Sequence, residues 1–343
     1  MIRFDCDYTE GCVRKVLDAL VRINMEQTCG YGLDEHCENA RSIIRGLCGR
    51  EDIDVHFLSG GTQTNLTVIT AALRPHQGVV SAVTGHVNVH ESGAIEATGH
   101  KVLTVRSLDG TISADQIRGV LSGHFDDPHA EHTVQPGLVY LSLPTESGTL
   151  YTAKELTDIS DVCREYGVYL YVDGARLGYA MAADPGITFE LLARVTDAFY
   201  IGGTKVGLLF GEALVISNET LKKDFRYILK QRGGMLAKGR MLGVQFEELL
   251  SGGTYVDIAR HAVTLAQRIR DAGVKKGWPL YVDSPTNQQF FIVPNEQLEV
   301  LGKKYAYDTW ERVDEGHTAI RLCTSWATDE KNVEKLVRDI EKL

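Results

Sequence analysis

From residue 54 the chain switches between two spacings of apolar positions. "DVHFLSGGT" gathers apolar residues into a short run closed by glycines, and "QTNLTVITAAL" then sets its apolar residues three and four apart. The first pattern predicts a strand entering a tight turn, and the second a helix. The alternation continues along the chain. "GVVSAVTGH" and "HKVLTVRS" predict strands, and "SADQIRGVLSG" a helix with Ser113 as its cap. "GLVYLSLPTE" predicts a strand, "TAKELTDISDVCREYG" a helix stopped by Gly167, and "VYLYVDGAR" a buried strand. "VTDAFYIGGTK" adds a strand and a turn, residues 218 to 250 read as a long helical stretch, and "YVDIARHAVTLAQRIRDAGV" as a second helix. Such alternation predicts an α/β architecture, a mainly parallel sheet flanked by helices on both faces. The tail differs, with "QQFFIVPN" and "TAIRLCTS" as strands and "DEKNVEKLVRDIEKL" as an amphipathic terminal helix, which predicts a smaller C-terminal α+β domain. The expected division is an N-terminal segment 1–14, a large domain 15–250 and a small domain 251–343, changing at "SGGT".

Composition narrows the function classes. The net charge of −10 argues against a nucleic-acid or anionic-membrane surface while leaving room for a local basic pocket. "MIRFDCDYTEGCVRKVL" has no apolar signal segment, and no uncharged run is long enough to span a bilayer. Seven cysteines without a CxxC pair read as reduced thiols, so a cytoplasmic protein is expected. The histidines show no HExxH and no other metal pattern, so no metal is expected.

Four features carry candidate chemistry. In "YIGGTKVGLLFGEALVI" a single ammonium, Lys205, follows Gly202, Gly203 and Thr204 in an apolar run. An apolar setting lowers an amine's pKa and suits it to Schiff-base formation, although an exposed loop lysine would read the same way. In "YVDGAR" an apolar strand delivers Asp173 at its carboxyl end with Arg176 three residues on. Ligands sit at such strand ends, and a buried carboxylate needs a cation: a protonated pyridine nitrogen, or Arg176 in a structural ion pair. "LSGGTQTN" is a Gly-rich turn entering a helix, able to hold a phosphate on free N–H groups or to be a plain turn. "GHVNVHESGAIEATGH" clusters His86, His90 and Glu91, where an imidazole can stack on a ring, accept a proton, or serve structure alone.

The order of these features resembles the aspartate-aminotransferase-like, fold type I superfamily of pyridoxal-phosphate enzymes, and within it the threonine aldolase and β-eliminating lyase family. "SGGTQTN" resembles the family's SGTxxN, "HVNVHESGA" its HxxxxExG, "VDGARL" its hDGAR, and "RLCTSWAT" its C-terminal R-x-x-T-S-x-x-T. "GGTK" stands where many members carry Ser-x-Ser-Lys, and "GYGLDEH" resembles the YGxD loop.

The resemblance implies that Lys205 forms a Schiff base with pyridoxal 5'-phosphate, that Gly61, Thr62 and Thr204 hold the phosphate, and that His86 stacks on the ring. Asp173 would pair with the pyridine nitrogen, while Arg176 and Arg321 would hold the substrate carboxylate. Cys6 in "FDCDY" replaces a serine common at that substrate contact, Tyr31 would border the active site, and "LSLPTESG" departs from the family's polar sequence after that strand. The base acting on the β-hydroxyl would be a histidine, with His86 and His132 as the candidates, or an ordered water. The implied reaction is cleavage of a β-hydroxy-α-amino acid of the threonine, allo-threonine or phenylserine type to glycine and an aldehyde. Another pyridoxal-phosphate β-eliminating lyase is the alternative, then an aminotransferase, and last a non-catalytic scaffold. A homodimer or homotetramer is expected, with the apolar "LLFGEALVIS" and "GGMLAKGRMLGVQF" between chains and Arg232 reaching a neighbour's phosphate.

Overall fold

Six of the predicted strands align in one seven-stranded sheet of the computed structural model, which describes residues 1–343. The order across it is Asp54–Leu58, Glu212–Ile216, Ala198–Gly202, Tyr169–Asp173, Gln135–Ser142, Gln77–Ala82 and Val102–Val105. Six strands point the same way, and Glu212–Ile216 runs against both neighbours. Helices cover both faces, so both alternating sets of strand residues are apolar: Val139 and Leu141 join the largest core cluster, Leu138 and Tyr140 the second.

The turns follow from local chemistry. Ser113 and Thr152 form capping boxes with Gln116 and Glu155, and Gly167 ends its helix at φ 66°, in the left-handed region that glycine enters without strain. The helix Thr254–Lys276 starts beyond Gly252 and Gly253, both at positive φ. Its first half packs Tyr255, Ala259 and Ala262 into the large core. Its second half packs Leu265, Ile269 and Ala272 into a separate cluster with Phe291, Ile320 and Leu336. There a four-stranded antiparallel sheet lies in the order Asp308–Arg312, His317–Cys323, Gln288–Pro294, Leu280–Val282. The chain start joins this second body: Ile2–Arg3 pairs with Tyr305–Ala306, and Phe4 is fully buried in its core.

Two expectations change. The stretch 218 to 250 is three helices, Glu219–Lys222, Phe225–Gln231 and Arg240–Leu250, interrupted at Asp224 (φ 59°) and Gly233 (φ 75°). The apolar segments expected between chains are largely internal. Ala213–Ile216 occupy the sheet at 0–1% exposure, and Leu242, Val244 and Phe246 fill the chain's own core, leaving Leu209 and Phe210 as the exposed apolar residues of that run. No helix is long and apolar enough to cross a membrane.

Candidate active site

The parallel strands gather their carboxyl ends at one edge of the sheet, and the side chains that follow them meet there. Asp173 closes one strand, Ser142 another, and Gly202 a third that leads to Thr204 and Lys205. The antiparallel strand reaches the same edge with its first residue, Glu212, paired with Leu58 and Gly202. The glycines of "DGAR" and "GGTK" exist because the two turns cross. A Cβ at Gly174 would lie 1.9 Å from the Tyr200 carbonyl oxygen, and one at Gly202 2.4 Å from that of Ala175.

Two adjoining cavities open at this edge. The inner one, about 190 Å³, is lined by Gly60, Gly61, Thr62, Asp173, Thr204 and Glu212 among others. The outer one, about 320 Å³, adds Tyr8, His90, Trp310 and Arg321. Lys205, His86, Arg176 and Glu146 belong to both.

Asp173 is 4% exposed and strongly held. Tyr140 Oη and Asn65 Nδ2 donate to its Oδ2 at 2.7 and 2.9 Å, and Tyr200 Oη and the Ala175 N–H donate to its Oδ1. Burial alone would raise its pKa, but the His86 charge and these hydrogen bonds outweigh it and hold the carboxyl below its ordinary value. Asn65 also donates to Glu91 at 2.7 Å, and Glu91 Oε1 contacts His86 Nδ1 at 2.8 Å, so one linked row orients the imidazole and the carboxylate together. Lys205 has no salt-bridge partner, and burial and then the nearby Arg176 charge lower its pKa. The helix Gly61–Ala72 starts at Gly60 with no side-chain cap, so its first N–H groups face the inner cavity unclaimed.

These features fit pyridoxal phosphate in kind. An uncapped helix start suits its phosphate, a buried ionised carboxylate its ring nitrogen, and an amine of lowered pKa its aldehyde.

Several residues stand otherwise than expected. His132 lies exposed in the turn Ala130–His132, before the amino end of Gln135–Ser142 and therefore a whole strand away from the site. Tyr31 lines neither cavity; it sits at φ 60° with the Lys230 ammonium 4.8 Å from its ring centroid, bordering a separate pocket with Arg226 and Met235. Cys6 also lines neither cavity, while its neighbours turn inward. Tyr8 lines the outer cavity, and fully buried Asp7 grips Arg176 at 2.7 and 2.9 Å through Nε and Nη2. Arg176 is thus paired, but with Asp7 and not with Asp173. Thr204 lines the inner cavity with its hydroxyl committed, donating to Glu212 at 2.8 Å and accepting the Gly211 N–H. Burial pushes Glu212 up to about 8. Arg321 faces the outer cavity, bonded to Gln288 at 2.9 Å and Asp308 at 2.7 Å and stacked near Trp310. Arg232 lines neither cavity, although its carbonyl accepts from Gln63 beside the phosphate turn.

Asp7, Asn65, Tyr140, Glu146, Tyr200 and Glu212 complete the site without having been singled out in the sequence. Asp7 had one signal: a buried Arg176 needs a carboxylate, and "FDCDY" offers two.

Comparison with known proteins gives the same direction. The β-eliminating lyase family model matches residues 5–341. A low-specificity L-threonine aldolase of Pseudomonas sp. is 31% identical, covering 98% of this chain and 96% of its own. The structure of Leishmania major threonine aldolase superposes with a TM-score of 0.97 at 43% identity, covering 100% of this chain and 99% of that one. Thermus thermophilus aspartate aminotransferase, at 15% identity and a TM-score of 0.73 over 100% of this chain and 91% of its own, shares the fold.

Proposed function

We propose that this chain, which belongs to the β-eliminating lyase family, is a pyridoxal-phosphate-dependent aldehyde-lyase cleaving β-hydroxy-α-amino acids of the threonine type to glycine and an aldehyde. The observation that carries the reading is Lys205, an unpaired amine in the wall between the inner and outer cavities. The threonine aldolase relatives support the choice of reaction over ammonia release or transamination.

In this reading Lys205 would hold the cofactor through its amine. Gly61 and Thr62 would hold its phosphate through the helix start, while the Thr204 hydroxyl is directed to Glu212. When bound, the cofactor supplies the electron sink for the pair released at Cα. Asp173, fixed by four donors, would hold a preorganised negative charge for the ring nitrogen. His86, its Nδ1 tied to Glu91, lines the inner cavity and would stack on the cofactor ring. Arg321, and Arg176 as positioned by Asp7, bind the substrate carboxylate, with Tyr8 near Lys205 on the same wall. The enzyme acts in the cytoplasm on a small amino acid. It assembles as a dimer or tetramer through the face bearing Leu209 and Phe210, with Arg232 near the neighbouring site.

The test is aldehyde release from the stereoisomers of threonine and phenylserine, together with borohydride reduction and peptide mapping. Aldehyde and glycine with label on Lys205 are expected. Keto acid and ammonia as products, or label on another lysine, would overturn the reading.

A further inference from the structure

Four side chains form the wall shared by the two cavities, and the proposed function uses three of them: Lys205, His86 and Arg176. The fourth is Glu146, from the segment that follows the strand Gln135–Ser142. Its Oε1 is fixed, accepting the His86 backbone N–H at 2.9 Å and the Ser142 hydroxyl at 2.6 Å. No other residue donates to its Oε2. One oxygen is therefore held in place and the other takes no bond from another residue, on a side chain that lines both cavities.

We propose that Glu146 is the catalytic base of the cleavage, taking the proton of the substrate's β-hydroxyl on Oε2. The proposal rests on the aldehyde-lyase reading and names the group that reading leaves open. Glu146 lines the same outer cavity as Lys205 and Arg321, so a substrate with its Cα at Lys205 and its carboxylate at Arg321 shares that cavity with the Glu146 carboxylate. The O–H bond breaks and its proton goes to Glu146. The oxygen's electron pair forms the carbonyl bond of the departing aldehyde. The Cα–Cβ pair stays on Cα, which takes up a proton to give glycine, so the reaction needs no other reactant.

A row of hydroxyls behind Glu146 suits this role. Ser142 Oγ lies 3.0 Å from Tyr140 Oη, which donates to Asp173 at 2.7 Å. The contacts from Asp173 through Tyr140 and Ser142 to Glu146 share only two hydroxyl protons while Glu146 is ionised. Ser142 has one proton to share between Glu146 Oε1 and Tyr140 Oη, so the row orients the carboxylate while Oε2 takes no part in it. Burial raises the pKa of Glu146, and the Asp173 charge acts in the same direction, against the hydrogen bonds from Ser142 and from Glu146's own backbone and the His86 charge. Lys205, Arg176 and Glu212 also face it from the inner cavity, and His90 and Arg321 from the outer one. A carboxylate moved toward neutrality is matched to proton transfer near neutral pH.

The test uses cofactor-loaded wild type, Glu146→Gln and Ser142→Ala. It reads phenylserine cleavage against pH and, separately, glycine affinity from the cofactor's absorbance. Glu146→Gln should lose about 100-fold or more in kcat, the range a positioned base supplies, together with the acid limb of the pH profile. Its glycine affinity and absorbance should match wild type, since neither involves a β-hydroxyl. Ser142→Ala, which removes a donor to the carboxylate, should move the acid limb to higher pH. A kcat within about threefold of wild type in Glu146→Gln, or an acid limb that persists in it, would overturn the proposal. So would an equal loss of glycine affinity, which would mark Glu146 as structural. Wild type that releases no aldehyde would instead refute the aldehyde-lyase reading.

Discussion

Asp7→Asn tests whether the chain start is part of the active site. Asp7 is fully buried, and its two oxygens take Nε and Nη2 of Arg176 and one amide N–H of Asn287 at 2.9 Å. Asparagine keeps the shape but turns one acceptor into a donor and leaves a guanidinium that cannot shed its proton. Breaking a buried pair from one side costs about 3–5 kcal/mol, and asparagine, retaining one acceptor, should fall at the lower end. Part of this cost depends on pH. Burial alone would raise the Asp7 pKa, but Arg176 overcomes that and lowers it from 3.8 to about 2. At about 1.4 kcal/mol per pH unit, this is worth about 2.5 kcal/mol, of which about 2 kcal/mol is gone at pH 2. Because the folded-state value is depressed, that stability is present above pH 3.8 and is lost as pH falls through about 2. Urea unfolding of both proteins should show a gap of about 3 kcal/mol at pH 6 that narrows by about 2 kcal/mol at pH 2. The substrate KM should also rise, because Arg176 loses the partner that positions it. A gap below about 1 kcal/mol at pH 6, or one independent of pH, would refute the argument that this pair is held by charge.

Asp173→Asn should fold and bind cofactor while losing about 100–1000-fold in kcat, read by aldehyde release, since the amide removes a preorganised charge and keeps the shape. Arg321→Lys should raise the amino-acid KM and leave cofactor affinity intact, because lysine keeps the charge but not the two-pronged fork; a fall in cofactor affinity at constant KM would place Arg321 on the phosphate. His132→Ala should leave kcat and KM unchanged, and a large loss of kcat would bring that exposed histidine back to the chemistry.

The sequence by itself determined most of the strands of the main sheet and the residues that end them. A strand buried on both faces is written as a continuous apolar run, and its end as a sudden polar or glycine residue. Gly61, Asp173 and Lys205 were legible for that reason, each marking its place within about ten residues of chain. Glu212–Ile216 escaped because an apolar run without period looks the same in a strand, a core helix or an interface. Only its antiparallel direction brings Glu212 to the catalytic edge. Distance along the chain hid the rest. Arg176 meets Asp7 from 169 positions away, and Glu146 meets the His86 backbone from 60. His132, close to a strand that does enter the site, lies at its wrong end because a strand of eight residues separates its two ends by the depth of the domain. Local spacing states which residues can do chemistry. Only the sheet's order and direction decide which of them share a cavity, because pairing across strands is a choice between distant segments that no short window of sequence contains.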